Sequence, residues 1–347
     1  MPVKVCVLGH FGKGVTLLNG QTVKTKIITE ELQNQLGQEQ VIKIDTHGGW
    51  KTLLKAPFQV FKALKKSTNV LIFPAHNGLR VYAPLLSFQR NFFKKRKIHY
   101  VVIGGWLPEF LHRRKGLSRT LKNFDGIYVE TNTMKSALEE TGFKNVYVMP
   151  NCKKLTVLSE NELVYPSGAP YRLCTFSRVM KEKGIEDAVK AVITVNKDLG
   201  YQAFSLDIYG QVDDLQIEWF DTLQKTFPPY IQYGGLVPFD KSVDVLKEYF
   251  ALLFPTYYEG EGFAGTLIDA YSAGVPVIAS DWKYNSEIVN ENVGYAYPAR
   301  NEEAFVNILK FIATNSMELL SKKENCLKEA KKFRLEFVIK QILKNIN

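Results

Sequence analysis

Short runs of β-branched and apolar residues alternate, along nearly the whole chain, with stretches in which apolar residues recur every three to four positions. In the first half the runs at 4–8, 40–44, 69–73, 99–103, 126–129 and 146–149 read as strands. Helix-like stretches such as 22–36, 53–65 and 134–141 lie between them. In the second half, strand-like runs at 172–176, 205–209, 231–233, 251–254 and 276–279 alternate with helical patterns at 185–199, 215–226, 243–247 and 265–273. Strand–helix alternation twice over predicts an α/β protein with two doubly wound, mostly parallel sheets. The stretch 155–170 carries Pro166, Ser167, Gly168 and Pro170, lacks periodicity and reads as a linker. From Glu302 onward the pattern is helical throughout.

Composition narrows the class. The 347 residues suffice for two domains, and 46% hydrophobic with 23% charged residues is the balance of a soluble globular protein. No apolar run reaches the roughly 18–20 residues of a membrane span. The opening MPVKVCVLGH lacks a basic start and a small-residue cleavage site, so it is expected to be a first strand and not a signal peptide. Cys6, Cys152, Cys174 and Cys326 lie far apart without companion histidines; reduced, mostly buried thiols are expected, and zinc is not. Charge is uneven: residues 1–165 hold 25 Lys/Arg against 11 Asp/Glu, a net of +14, whereas 166–347 hold 20 against 24, a net of −4. A one-sided field points to an acidic partner, whether anionic lipid, phosphorylated substrate or nucleic acid. Solubility alone is the plainer explanation.

Two stretches carry candidate chemistry. In Phe254-Pro-Thr-Tyr-Tyr-Glu-Gly-Glu-Gly-Phe-Ala-Gly265 and the segment running on to Gly274, a buried strand leads through a Gly-rich loop into a short helix. Backbone N–H groups at such a helix start suit a phosphate. Glu261 in the loop and Asp269 on the helix are on the order of 10 Å apart at the helical rise, too far for an acid/base couple. That spacing suits two ends of one ligand, one carboxylate near a transferred sugar and the other on ribose hydroxyls. A helix-start charge and a solvated aspartate are the alternative. The second stretch, Thr175 to Ala188, places Arg178 and Lys183 in a strand-end loop, where a planar fork and a point charge could hold a diphosphate.

Ser177-Arg178, Lys183-Gly184, Asp207-Ile-Tyr-Gly210, Gln232-Tyr-Gly-Gly-Leu-Val237 and EGFAGTLIDAYSAGVPVIASD together resemble the retaining family 4 glycosyltransferases of GT-B fold, over nearly the whole chain. The resemblance implies two Rossmann-like domains facing a central cleft. Their expected bounds are 1–155 for an acceptor-binding domain, 156–170 for the linker, 171–325 for a donor-binding domain and 326–347 for a helix crossing back. It implies that Arg178 and Lys183 bind the donor diphosphate and that Glu261 faces the donor sugar. Amides among Gly262, Phe263, Ala264 and Gly265 would contact phosphate or sugar, and Gly210, Tyr233 and Val237 would flank the base of a UDP- or GDP-type sugar nucleotide. The family pattern has a second Glu where this chain has Asp269, which shortens its reach to the ribose. Gly20 and Gln21, in a loop resembling the family's first loop, could approach the phosphates; a plain helix start fits them equally. His76 follows an apolar strand and could meet a substrate hydroxyl. Many family members carry another His after the next strand, where this chain has Ile103-Gly-Gly-Trp-Leu-Pro108. Glu130 matches a position near the family's acceptor side.

No DxD occurs, although Asp213-Asp214 and Glu259-Gly-Glu261 are acidic pairs a divalent metal would favour. Since Arg178, Lys183 and a helix start can neutralise the diphosphate, no metal or other cofactor is expected. The family also implies front-face attack, with the departing phosphate helping to deprotonate the acceptor. In 50–66 five lysines are interleaved with Leu53, Leu54, Phe58, Phe61 and Leu64, and basic clusters follow at 94–97 and 113–115. This suits an anionic membrane surface as well as packing on the sheet. The expectation is a cytoplasmic, peripheral enzyme of surface-polysaccharide synthesis acting on a lipid-linked glycan. Rivals are an epimerase or hydrolase of the same fold, a non-catalytic sugar binder, and a nucleic-acid-binding protein. The last lacks any recognised binding module, so no nucleic acid is expected.

Overall fold

The computed structural model describes residues 3–12, 20–154 and 156–346, with backbone alone at 49–51. Lys13 and Gly14 of the first loop, Asn19, Leu155 and the side chains of Trp50 and Lys51 lie outside this description. The chain divides into two compact units, Met1–Lys154 with Arg334–Asn347, and Leu155–Phe333.

Unit 1 is a six-stranded parallel sheet of β1 (Val3–Gly9), β2 (Val41–Asp45), β3 (Ser67–Ile72), β4 (Lys97–Val101), β5 (Gly126–Val129) and β6 (Val146–Val148), in the order β2-β1-β3-β4-β5-β6. Unit 2 repeats the architecture with β7 (Tyr171–Phe176), β8 (Phe204–Tyr209), β9 (Ile231–Gly235), β10 (Ala251–Phe254), β11 (Val277–Asp281) and β12 (Gly294–Pro298), in the order β12-β11-β10-β7-β8-β9. The central strands are buried on both faces, as β10 shows with all four residues covered, because helices pack on either side of a parallel sheet. Sequence order reverses between β1 and β3 in unit 1 and between β7 and β10 in unit 2. At such reversals, loops from adjacent strand ends diverge and leave a crevice.

Each of the eleven runs read as strands is a strand. The twelfth, β12, escaped because Gly294-Tyr-Ala-Tyr-Pro298 is an edge strand, bounded by Gly and Pro and only partly covered. The predicted helix 53–65 is two helices, Gly49–Leu54 and Ala56–Lys66, with Pro57 in the first turn of the second. The helical tail is broken into Glu302–Thr314, Ser316–Leu320, Lys323–Lys332, Leu335–Val338 and Lys340–Ile346.

Two boundaries differ from expectation. Residues 156–170 belong to unit 2, where Leu158 is buried, its N–H donates to Ser272 O at 2.9 Å, and Leu163 fills the space beside Gly274. Apolar anchors between the Pro, Ser and Gly residues thus make this segment part of a core. The return to unit 1 starts at Arg334 and not at 326, since Cys326, Leu327 and Ala330 pack in unit 2. From there Leu335, Val338, Ile339, Ile342 and Ile346 join Val5, Ile28 and Leu71 in one core. Asn69 Nδ2 donates to Ile346 O at 3.1 Å.

All four cysteines are free and buried. His99 is a core imidazole between Asn69 and Tyr128; burial pushes its pKa down to about 4, so it is neutral at physiological pH. Lys24, on the helix Gly20–Leu36, forms a buried ion pair of 2.5 Å with Glu130 at the end of β5. The carboxylate read as an acceptor-side candidate is therefore engaged inside unit 1.

Candidate functional site

The reversal in unit 2 places two loops side by side: residues 177–184 after β7, and 255–264 after β10. Their backbones interlock. Gly184 has φ +70°, and a Cβ there would lie 2.2 Å from Pro255 O. Tyr257 N donates to Glu182 O at 2.8 Å. Gly210, after β8, has φ +137°, and a Cβ would come within 1.8 Å of Ser177 O. Only glycine permits these approaches.

The interlock fixes a charged cluster. Lys183 Nζ lies 2.6 Å from Glu261 Oε2, with side chains only 12% and 7% exposed. The hydroxyl of buried Thr256 donates to the same Glu261 oxygen at 2.8 Å and accepts from Tyr258 N at 3.2 Å. Thr256 is held in turn by Ser280, whose hydroxyl donates to its carbonyl, and Trp282 Nε1 donates to Tyr258 O at 2.8 Å. Tyr258 is flanked by both predicted cations, Lys183 Nζ at 5.0 Å and Arg178 Cζ at 5.8 Å from its ring centre. Arg178 is half exposed and lies 3.5 Å from Asp213. Glu259 pairs with Lys283 at 2.9 Å, so three of the carboxylates weighed as metal ligands, Asp213, Glu259 and Glu261, face a cation in the folded chain.

The helix Gly265–Ser272 starts beside this cluster, with Ala264 as its extended N-cap residue. Gly262 and Phe263 are buried, and the Thr266 hydroxyl in the first turn is buried without a hydrogen-bond partner among the described residues. Asp269 is buried on the same helix. On the other side of β7, Tyr233 OH donates to Gly210 O at 2.7 Å, while Val237 lies beyond the end of β9, half-buried. Arg178, Lys183, Gly210, Tyr233, Glu261 and the 262–265 segment thus all belong to the strand ends that surround one reversal. Thr256, Tyr258 and Trp282 were missed. The available signal was a hydroxyl and aromatics directly after buried strands, next to a Gly-rich loop.

Unit 1 holds the remaining candidates. Gly20 and Gln21 begin its first helix; Gln21 Nε2 donates to Phe73 O at 2.9 Å, tying this turn to the end of β3. His76 opens the helix His76–Arg90 and stacks against Trp106 with ring centres 3.9 Å apart, with Phe110 edge-on at 5.0 Å. Burial of its packed face, then the Arg114 charge, lower its pKa, which keeps the ring neutral near pH 7. The Trp106 of the Ile103–Pro108 segment is what occupies the place beside His76.

Residues 170–315 match the family described as "Glycosyl transferases group 1". The GtfA subunit of the UDP-N-acetylglucosamine–peptide N-acetylglucosaminyltransferase of Streptococcus pneumoniae serotype 4 is 30% identical over 229 residues, 63% of this chain and 43% of that protein. An uncharacterised glycosyltransferase of Methanocaldococcus jannaschii is 28% identical over 152 residues, 42% of this chain and 37% of that one. The chain therefore spans less than half the length of these curated relatives. Among solved structures, Anabaena Alr3699/HepE in complex with UDP superposes with a TM-score of 0.72 at 14% identity, covering 99% of both chains. The lipopolysaccharide outer core galactosyltransferase WaaB gives 0.72 at 15% identity, covering 99% of this chain and 98% of that one. The fold, two parallel six-stranded Rossmann-like sheets, is that of GT-B glycosyltransferase structures, and the β7/β10 site lies within the segment that matches the group 1 glycosyl transferases.

Proposed function

We propose that the protein is a retaining family 4 glycosyltransferase that moves a sugar from a UDP-sugar to a hydroxyl of a glycan acceptor. What supports this is the β7/β10 cluster: two cations 5.0 and 5.8 Å from one tyrosine ring centre, a buried carboxylate in contact with one of them, and a helix start with an unsatisfied hydroxyl. In this reading the bond between the anomeric carbon and the diphosphate oxygen breaks, and negative charge collects on the diphosphate. Arg178 and Lys183 stabilise that charge, aided by the amides of 262–265. The acceptor oxygen bonds to the face of the carbon that the diphosphate leaves, and its proton passes to the departing phosphate. Glu261 holds the sugar, Asp269 the ribose, and Gly210, Tyr233 and Val237 flank the base. Gly20 and Gln21 approach the phosphates, and His76 meets a substrate hydroxyl. Cationic neutralisation makes the reaction metal-independent.

A thermal-shift panel of UDP, GDP and other nucleotides tests the donor. UDP is expected to stabilise the protein through preferential binding to the native state. Absence of stabilisation by every nucleotide diphosphate would remove the basis of the proposal. Turnover unaffected by EDTA and a product of unchanged anomeric configuration by NMR are the accompanying expectations.

The acceptor in this proposal is lipid-linked, for surface polysaccharide, and the protein sits on the anionic cytoplasmic face of the membrane. No helix among the described residues is long and apolar enough to cross a membrane. The support is a surface of unit 1. Phe58, Phe88 and Phe92 are 80%, 65% and 73% exposed, and ring contacts link Phe61 to Phe93 and Phe88 to Phe92. Between Asp45 and Glu109 the chain has 11 Lys/Arg and no acidic residue. Aromatics among lysines favour an anionic interface. The protein is expected to co-sediment with vesicles containing phosphatidylglycerol, less so in high salt, and F58S/F92S to lose most of the bound fraction. Equal partition with neutral vesicles, or none at all, would refute the surface.

A further inference from the structure

The Lys183 ammonium has an anion within the folded chain itself: the Glu261 carboxylate, 2.6 Å away and mostly buried. The diphosphate and Glu261 therefore compete for one cation. Glu261 is also kept in place by the Thr256 hydroxyl, which would remain after Lys183 turns to another partner. A carboxylate this buried cannot lose its cation without a replacement donor, because an uncompensated buried charge is costly. Neither Lys283, which pairs with Glu259, nor Arg178, beside Asp213, is in contact with it.

We propose that Glu261 is a placeholder for the donor diphosphate, and that donor binding is an exchange of partners. The phosphate oxygens take Lys183, and a sugar hydroxyl takes the freed oxygen of Glu261 while Thr256 holds the carboxylate in position. This rests on the donor reading above and deepens it: the pocket selects for intact sugar nucleotide over free nucleotide. UDP alone displaces Glu261 from Lys183 and supplies nothing in return, whereas a UDP-sugar supplies a hydroxyl. Thr256 is then a positioning residue for Glu261.

The test is calorimetric affinity for UDP and for a matched UDP-sugar in the wild type, E261Q, K183Q and T256V. Glutamine keeps the shape and removes the competing charge, so E261Q is expected to bind UDP about tenfold more tightly, the worth of one charge-assisted hydrogen bond. The advantage of UDP-sugar over UDP should shrink in the same variant. T256V should leave UDP affinity within about twofold, lower kcat more than it alters KM, and be rescued by T256S. UDP affinity unchanged or weakened in E261Q would overturn the exchange. If K183Q also leaves UDP affinity unchanged, the donor site itself is misassigned; if K183Q weakens it, only the exchange fails. A wild-type circular dichroism spectrum of E261Q and T256V at the assay temperature guards against reading a folding defect as a binding effect.

Discussion

The double variant R178Q/K183Q is expected to show no calorimetric binding of UDP at concentrations that saturate the wild type. Arg178 and Lys183 flank the same ring, 5.8 and 5.0 Å from its centre, and each would hold the diphosphate by charge-assisted contacts. Such contacts are worth about 1.5–3 kcal/mol each, so losing both costs on the order of a hundredfold to ten-thousandfold in affinity. The single variants separate binding from folding. Arg178 is half exposed, and R178Q should unfold like the wild type while losing about tenfold or more in UDP affinity. Lys183 is mostly buried against Glu261, and K183Q should lose both affinity and some stability. Wild-type UDP affinity in the double variant, measured on protein shown to be folded by circular dichroism, would leave the proposed donor site without support.

The second large effect is expected far from any substrate, at the Lys24–Glu130 pair. Both side chains are nearly fully buried, and Glu130 ties the end of β5 to the first helix of unit 1. E130A leaves the Lys24 ammonium without its carboxylate and should cost about 3–5 kcal/mol in urea unfolding. Replacing both partners, as in K24M/E130L, should recover most of that loss, since a buried pair and an apolar pair of similar volume are often close in stability. A stable E130A with a raised acceptor KM would instead assign this carboxylate to substrate.

Much of this architecture was legible because parallel strands are short, apolar and separated by helical periodicity. The strand-end loops that carry Arg178, Lys183 and Glu261 follow directly from locating β7 and β10. Unreadable were features decided by tertiary contact. The Lys183–Glu261 pair joins residues 78 positions apart, and no local pattern announces it. The segment 156–170 has a linker's composition, yet Leu158 and Leu163 dock it onto unit 2. β12 looks like a turn because its neighbour β11 supplies the pairing that its own residues do not advertise. Thr256 shows its place only once Ser280 and Glu261 are seen around it.

Unit 1 is discontinuous: its first 154 residues and its closing helices from Arg334 are separated by the whole of unit 2. On the ribosome, the five apolar residues that seal the first sheet, Leu335 to Ile346, are therefore made only after the whole of Leu155–Phe333 that separates them from the strands they cover. The second sheet can be complete while the first still shows bare Val5, Ile28 and Leu71. Nascent chains halted before Arg334 should accordingly bind holdase chaperones through the older half of the molecule, and release them when the last two short helices emerge.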